Sequence, residues 1–84
     1  MVLFCAPGSG EWAVVATRRV GGAVERNRAK RILREAWRQV SPQVTGDIDA
    51  VLMAREAIRG ATTQDLVSEM TELLPREVVR DERA

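Results

Sequence analysis

The hydrophobic positions near the beginning of the chain predict two short strands. The runs "VLFCA" (residues 2–6) and "EWAVVATRRV" (residues 11–20) are rich in β-branched and aromatic residues, which favour strands. The sequence "PGSG" between them is a strong turn signal. Because the two runs flank a short Pro/Gly/Ser loop, we predict that they form an antiparallel hairpin.

The stretch "GGAVERNRAKRILREAWRQV" (residues 21–40) has the hydrophobic spacing of an amphipathic helix. One face of this helix collects small and large apolar residues, with Trp37 on its rim: Ala29, Ile32, Leu33, Ala36 and Val40. The opposite face is polar and mostly cationic, and its residues are Asn27, Arg31, Arg34 and Arg38, with Lys30 beside them and Arg26 and Arg28 in the first turn. We expect the first face to pack on a sheet and the second to face outward. Ser41-Pro42 should end the helix, because a residue before proline avoids the helical conformation.

The second half of the chain predicts a third strand and a second helix. The segment "DIDAVLMA" (residues 47–54) contains a continuous apolar run, which is typical of a strand that is covered on both faces. The segment "TTQDLVSEMTELL" (residues 62–74) has helical spacing and a capping-box-like start at Thr62 and Asp65. Pro75 interrupts this pattern, and the charged tail "REVVRDERA" (residues 76–84) is interpreted as a frayed end or an extension of the helix.

The predicted order of elements is β-β-α-β-α, which is typical of an α+β domain with two layers. The strands before and after the basic helix should be parallel neighbours, because a crossover that contains a helix joins parallel strands. A chain of 84 residues is expected to form one domain, residues 1–84.

Composition excludes several classes of protein. The apolar runs are too short to span a bilayer, and the first residues lack the features of a secretory signal, so we predict a cytoplasmic protein without a membrane partner. The only cysteine, Cys5, is interpreted as a buried, reduced thiol. The absence of histidine removes the commonest general base and metal ligand. A stand-alone protein nuclease is therefore disfavoured.

The charges are divided unequally along the chain. Residues 18–38 contain eight basic and two acidic residues, whereas the rest contains five basic and ten acidic residues. Cations at helical spacings of three and four residues repel one another, which suggests a polyanionic partner. Arginine predominates, and its planar fork suits phosphate. A membrane-surface helix is the competing interpretation, but the apolar face has the size that a globular core needs.

Other candidate sites are weaker. Gly21-Gly22 could bring backbone N–H groups close to a phosphate, although a simple strand-to-helix turn is more common. Asp47 and Asp49 could share a divalent metal, but exposed residues at a strand entry are the preferred interpretation. The aromatic residues Trp12, Trp37 and Phe4 could stack on bases, and we expect both tryptophans to belong to the core.

The segment "TRRVGGAVERNRAKRILREAWR" (residues 17–38) resembles the protein subunit of bacterial ribonuclease P. That family carries the signature Ser-Lys-Lys-x-Gly-x-Ala-Val-x-Arg-Asn-Arg-x-Lys-Arg-x-x-Arg-Glu, from which this chain departs only by Ser to Thr and Lys to Arg exchanges. The segments "DAVLMAR" (residues 49–55) and "TTQDLVSEMTELL" are similar to the family's next strand and final helix. The resemblance covers residues 1–74.

This resemblance implies an accessory subunit of a ribonucleoprotein endoribonuclease that acts in tRNA processing. The catalytic RNA performs the Mg²⁺-dependent hydrolysis that removes 5′ leaders from precursor tRNA, so no catalytic or metal-binding residue is expected in the protein. The RNA-binding residues implied are Arg18, Arg19, Arg26, Asn27, Arg28, Lys30, Arg31, Arg34 and Arg38. The implied fold, which resembles the second domain of ribosomal protein S5, has a left-handed βαβ crossover, whereas general rules favour a right-handed one.

The resemblance also implies that the family's first helix and strand are missing ahead of "VLFCA". These elements usually form one wall of the cleft for the single-stranded leader. The alternative function is therefore an RNA-binding module that binds the catalytic RNA without supporting leader recognition or cleavage. An exposed sheet edge invites self-association, so a strand-paired or domain-swapped homodimer is a further hypothesis.

Overall fold

Three strands and two α-helices make up residues 1–75, the part of the chain that the computed structural model describes. The strands are β1 (Val2–Pro7), β2 (Trp12–Val15) and β3 (Ile48–Met53), and the helices are α1 (Ala23–Val40) and α2 (Thr63–Leu73). Three short 3₁₀ helices join them: η1 (Arg18–Val20), η2 (Ser41–Gln43) and η3 (Glu56–Gly60). The predicted α+β order is confirmed. The charged tail, residues 76–84, lies outside the described residues.

The three strands form one sheet in the order β1-β3-β2. The predicted hairpin is therefore wrong, because β3 lies between β1 and β2. β1 pairs with β3 in the antiparallel sense, and β2 pairs with β3 in the parallel sense. The predicted parallel pairing of the strands on either side of α1 is confirmed. The hand of this crossover stays a prediction.

The loop between β1 and β2 passes over the beginning of β3 instead of closing a hairpin. The Gly8 N–H donates to the Asp47 carbonyl at 2.9 Å, and the Ala50 N–H donates to the Glu11 carbonyl at 2.9 Å. The Asp49 carboxylate accepts from the backbone N–H groups of Ser9 at 3.0 Å and Glu11 at 2.9 Å. The Asp49 carboxylate thus holds the loop in place. This role accounts for an acidic residue at position 49 better than a metal site shared with Asp47 does.

The predicted strand of residues 11–20 is too long, because residues 18–20 form the 3₁₀ helix η1 instead. Strand β2 ends at Val15, and the side chain of Val20 is buried at the end of η1. Gly21 then adopts φ 143°, a conformation that residues with a side chain rarely adopt. A Cβ there would also lie 3.0 Å from the Cβ of Glu25. Gly21 therefore permits the sharp entry into α1.

The core lies between the helices and one face of the sheet. The residues of α1 that are buried match the predicted apolar face, including Trp37. Alternate residues of β3, Ala50 and Leu52, face this core, and α2 contributes Leu66 and Met70. The predicted cover on both faces of β3 is wrong, because Val51 is 37% exposed. A run of apolar residues could not reveal this difference between the faces.

Both helices begin and end as the sequence indicates. α1 ends at Val40 and passes into η2 at Ser41-Pro42. α2 begins with a capping box, in which the Asp65 N–H donates to Thr62 Oγ1 at 3.2 Å and the Thr62 N–H donates to Asp65 Oδ2 at 2.9 Å. The helices of residues 1–75 include none that is both long enough and apolar enough to cross a membrane.

Candidate nucleic-acid interface

The outer face of α1 presents a row of cations to solvent. Its exposed polar residues are Asn27, Arg31, Arg34 and Arg38, with Arg26, Arg28 and Lys30 half-buried between this face and the core. The arrangement follows from the helical spacing, because the opposite side of the same helix is held against the sheet. The predicted orientation of α1 is confirmed, whereas contact of these residues with RNA stays a prediction.

Little acidic charge balances this row. Within residues 1–75, its ion pairs are limited to Arg31 with Glu35, whose nearest atoms, Nε and Oε1, lie 4.0 Å apart. The Arg31 side chain remains 67% exposed, so solvent screens this contact and it is worth little. Glu35 also accepts a hydrogen bond from the Thr63 hydroxyl of α2 at 3.0 Å. The cations of α1 are thus largely available to an external anion.

A cleft of about 750 Å³ lies at the end of the sheet where β2 and β3 terminate. Arg18 and Arg19 of η1 line it, as does Arg55, which lies just before η3. Val2 and Met53 form part of its apolar lining. The cleft therefore combines cationic and apolar surface, with Glu56 as an acidic residue of its lining.

Arg55 lines this cleft as well, although it is not among the predicted RNA-binding residues. The signal was present, because Arg55 follows β3 closely, as Arg18 and Arg19 follow β2. The carboxyl ends of parallel neighbours meet at one edge of a sheet, so cations that follow the two strands converge. The predicted parallel pairing would have sufficed to group these three arginines.

Arg28 differs from the other cations of α1 in its contacts. Its Nη2 donates to the Ala61 carbonyl at 2.8 Å, and its Nη1 donates to the Ile58 carbonyl at 3.4 Å. Both acceptors belong to the end of η3 and the residue that follows it. The guanidinium of Arg28 therefore joins α1 to the segment that leads into α2.

The face of the sheet that the helices leave uncovered carries apolar side chains. Phe4 of β1 is 55% exposed and lies opposite Val51 of β3, which in turn pairs with Ala13 of β2. Trp12 is 38% exposed at the edge of the other face, so its assignment to the core is wrong, whereas that of Trp37 is confirmed. The sequence alone does not indicate on which face of the sheet Phe4 lies.

Cys5 and the N-terminus of α1 offer less. The Cys5 thiol is free and half-buried rather than fully buried, and burial raises its pKa, so a thiolate nucleophile is disfavoured. Gly22 caps α1 without a side-chain hydrogen bond. A phosphate contact at Gly21-Gly22 stays a prediction.

Groups of three or more His, Cys, Asp or Glu side chains that could hold a metal do not occur in the described part of the chain.

Comparison with known proteins identifies the family. The family model described as "Ribonuclease P" matches residues 1–77. The chain belongs to the ribonuclease P protein family. The "Ribonuclease P protein component" of Chloroflexus aurantiacus is 48% identical over 62 residues, which cover 71% of this chain and 45% of that protein. The protein of the same name from Limosilactobacillus reuteri is 31% identical over 67 residues, which cover 80% of this chain and 57% of that protein.

This ribonuclease P family chain spans about half the length of these curated relatives. The predicted absence of the family's first helix and strand stays a prediction. Solved structures share the fold: the RNase P protein from Thermotoga maritima has a TM-score of 0.72 at 21% identity and covers 88% of this chain and 74% of its own. The Staphylococcus aureus RNase P protein has a TM-score of 0.66 at 19% identity, over 84% of this chain and 68% of its own.

Proposed function

We propose that this chain is the protein subunit of ribonuclease P, which binds the catalytic RNA and assists its removal of 5′ leaders from precursor tRNA. The observation that carries the proposal is the exposed cationic face of α1, which lies opposite a face that the core fully uses. A cationic face alone would fit any nucleic acid. Membership of the family favours the RNA of ribonuclease P as the polyanion that this face binds. The cytoplasm is the proposed compartment, because both RNA partners are made there.

The proposed role of the protein is electrostatic. Two RNA molecules that approach each other bring together dense negative charge, and arginine side chains between them neutralise phosphates and release counterions. The outer face of α1 would serve the catalytic RNA. In this proposal the Mg²⁺ required for hydrolysis is held by the RNA.

The cleft and the open face of the sheet are proposed to contact the leader. Arg18, Arg19 and Arg55 would bind its phosphates, and the exposed ring of Phe4 would offer a stacking surface for a base. This arrangement favours the complete function over the alternative of a module that binds the catalytic RNA without supporting cleavage.

A reconstituted cleavage reaction tests the proposal. Precursor tRNA and the catalytic RNA are combined at low Mg²⁺ with and without the protein, and the released leader is measured. We expect the protein to accelerate cleavage, because its cations replace part of the screening that Mg²⁺ provides. Binding of the catalytic RNA without acceleration would instead support the alternative module.

Two controls complete this experiment. Incubation of precursor tRNA with the protein alone should release no leader, and cleavage there would revive a protein nuclease. A precursor with a single-nucleotide leader should gain less from the protein than one with a long leader. Equal acceleration of both would remove the proposed leader contact while leaving the contact with the catalytic RNA.

A further inference from the structure

We infer that Arg28 is a positioning residue, which holds η3 against α1 and thereby sets the cleft, rather than a phosphate contact. The inference rests on the proposed function for the role of the cleft in RNA binding. Its structural part rests on the two hydrogen bonds from the Arg28 guanidinium to the carbonyls of Ile58 and Ala61.

The contact is suited to an arginine. The two carbonyls belong to η3 and to the residue that follows it, where partial negative charge accumulates at the C-terminal end of a helix. The Ile58 oxygen also accepts from the Ala61 N–H at 3.1 Å, so Arg28 supplies its second donor. A planar guanidinium reaches both oxygens at once, with Nη2 at 2.8 Å from Ala61 and Nη1 at 3.4 Å from Ile58. Lysine carries the same charge but presents a single point of attachment.

The position of η3 matters for the cleft. Arg55, Glu56 and Ala57, at the beginning of η3, line the cleft together with Arg18 and Arg19 of η1. The Ile58 side chain anchors η3 in the core, where it is 4% exposed. With Ile58 anchored below and Arg28 attached at the end, η3 has a fixed distance from α1. A shift of η3 would therefore change the position of Arg55 relative to Arg18 and Arg19, which line the same cleft.

Contact with backbone carbonyls, rather than burial, distinguishes Arg28 from its neighbours on α1, since Arg26 and Lys30 are half-buried as well. Asn27 and Arg31 are exposed, whereas Arg28 is half-buried and turned toward η3. A guanidinium whose two terminal nitrogens already donate to backbone carbonyls is less available to a phosphate. Within the Arg-Asn-Arg sequence of this helix, Asn27 therefore faces solvent, whereas Arg28 faces η3.

The first measurement is amide hydrogen exchange in the free protein. The N–H groups of Ile58 and Ala61 close η3 by donating to Arg55 and Ile58, so their exchange reports on its opening. In Arg28→Lys we expect these amides to exchange roughly fivefold faster, with β3 unchanged, because a hydrogen bond of ordinary strength is lost locally. Arg34→Lys, an exposed change on the same helix, should leave them unchanged.

The second measurement is a double-mutant cycle for binding to the catalytic RNA. Arg28→Lys should weaken binding by roughly fivefold in the wild type, and this effect should vanish when Arg55→Ala is already present, because coupled residues are not additive. Arg34→Lys should act independently of Arg55→Ala. A purely global loss of stability would not produce dependence on Arg55.

The outcomes separate this inference from the proposed function. Unchanged exchange in Arg28→Lys, or binding effects that add to those of Arg55→Ala, would overturn the positioning role. A wild-type protein that does not bind the catalytic RNA would overturn the proposed function and the binding half of the inference. The exchange measurement still decides in that case whether Arg28 holds η3.

Discussion

Gly21 occupies a backbone position that a side chain would strain. Its φ of 143° and the Glu25 Cβ, 3.0 Å from an added Cβ, both oppose substitution. Gly21→Ala should lower the free energy of unfolding by about 1–3 kcal/mol, measured by urea denaturation. Gly46→Ala is the control, because open space surrounds an added Cβ there. Equal stability of the two variants would contradict this account of the turn.

Cys5 gives the stability of the fold a dependence on alkaline pH. Burial raises the pKa of the Cys5 thiol above its ordinary value of 9.0, so the folded state holds the proton more tightly than the unfolded chain. This contribution to stability is complete below the unfolded pKa and is lost as pH rises through the folded pKa. Thermal unfolding above pH 9 should therefore show a steeper decline for the wild type than for Cys5→Ala. Parallel curves would exclude this contribution.

The contacts of single residues were the hardest to predict from sequence. The face of α1 on which each residue lies follows from helical spacing alone, and it was predicted correctly. The partners of Arg28 were not predicted, because Ile58 and Ala61 are distant along the chain and accept through backbone carbonyls. The contact of Asp49 with the loop was not predicted for the same reason, since its partners are the backbone N–H groups of Ser9 and Glu11.

At the scale of elements, the capping box at the start of α2 should contribute measurably to stability. Thr62→Ala removes the oxygen that accepts from the Asp65 N–H at 3.2 Å, and we expect a loss of about 1 kcal/mol in thermal or urea unfolding. Thr71→Ala is a matched control, because the Thr71 hydroxyl donates back to the Val67 carbonyl within the same helix. That change should be neutral or slightly stabilising.

The outer face of α1 should determine how RNA binding depends on salt. Arg34→Ala is expected to lower the slope of log K against log salt by about one unit, the effect of one lost phosphate contact. Arg59→Ala makes the same change in charge on η3 rather than on α1, and should leave the slope unaltered. Equal slopes for all three proteins would refute the assignment of the face.

The strand pairing shows why elements were predicted better than their arrangement. Both β1 and β2 exist, and they run in opposite directions as in a hairpin, because β1 is antiparallel and β2 parallel to β3. The local turn signal determines this reversal of direction. It does not determine whether a third strand enters between them, which depends on residues 48–53 and on the contacts of the loop with Asp49.

At the scale of the whole molecule, the sheet has β1 and β2 as its edges within residues 1–75. Edge strands next to exposed apolar side chains such as Phe4 and Val51 favour pairing with another chain. The homodimer hypothesis predicts a mass that rises toward twice the monomer value as concentration increases, measured by size-exclusion chromatography with light scattering. If the dimer covers the cleft, the catalytic RNA should compete with dimer formation, so that one protomer binds each RNA. A constant monomer mass across concentrations would remove the hypothesis.

The central position of β3 also determines the order in which the protein can assemble. Every strand ladder in the described sheet includes β3, and Val2 at the beginning of the chain pairs with Met53. Within the described sheet, neither β1 nor β2 can pair until β3 has been synthesised, and closing such long loops slows folding. α1 relies on local hydrogen bonds and can form sooner. The nascent chain is therefore expected to acquire its basic helix before the sheet that supports it.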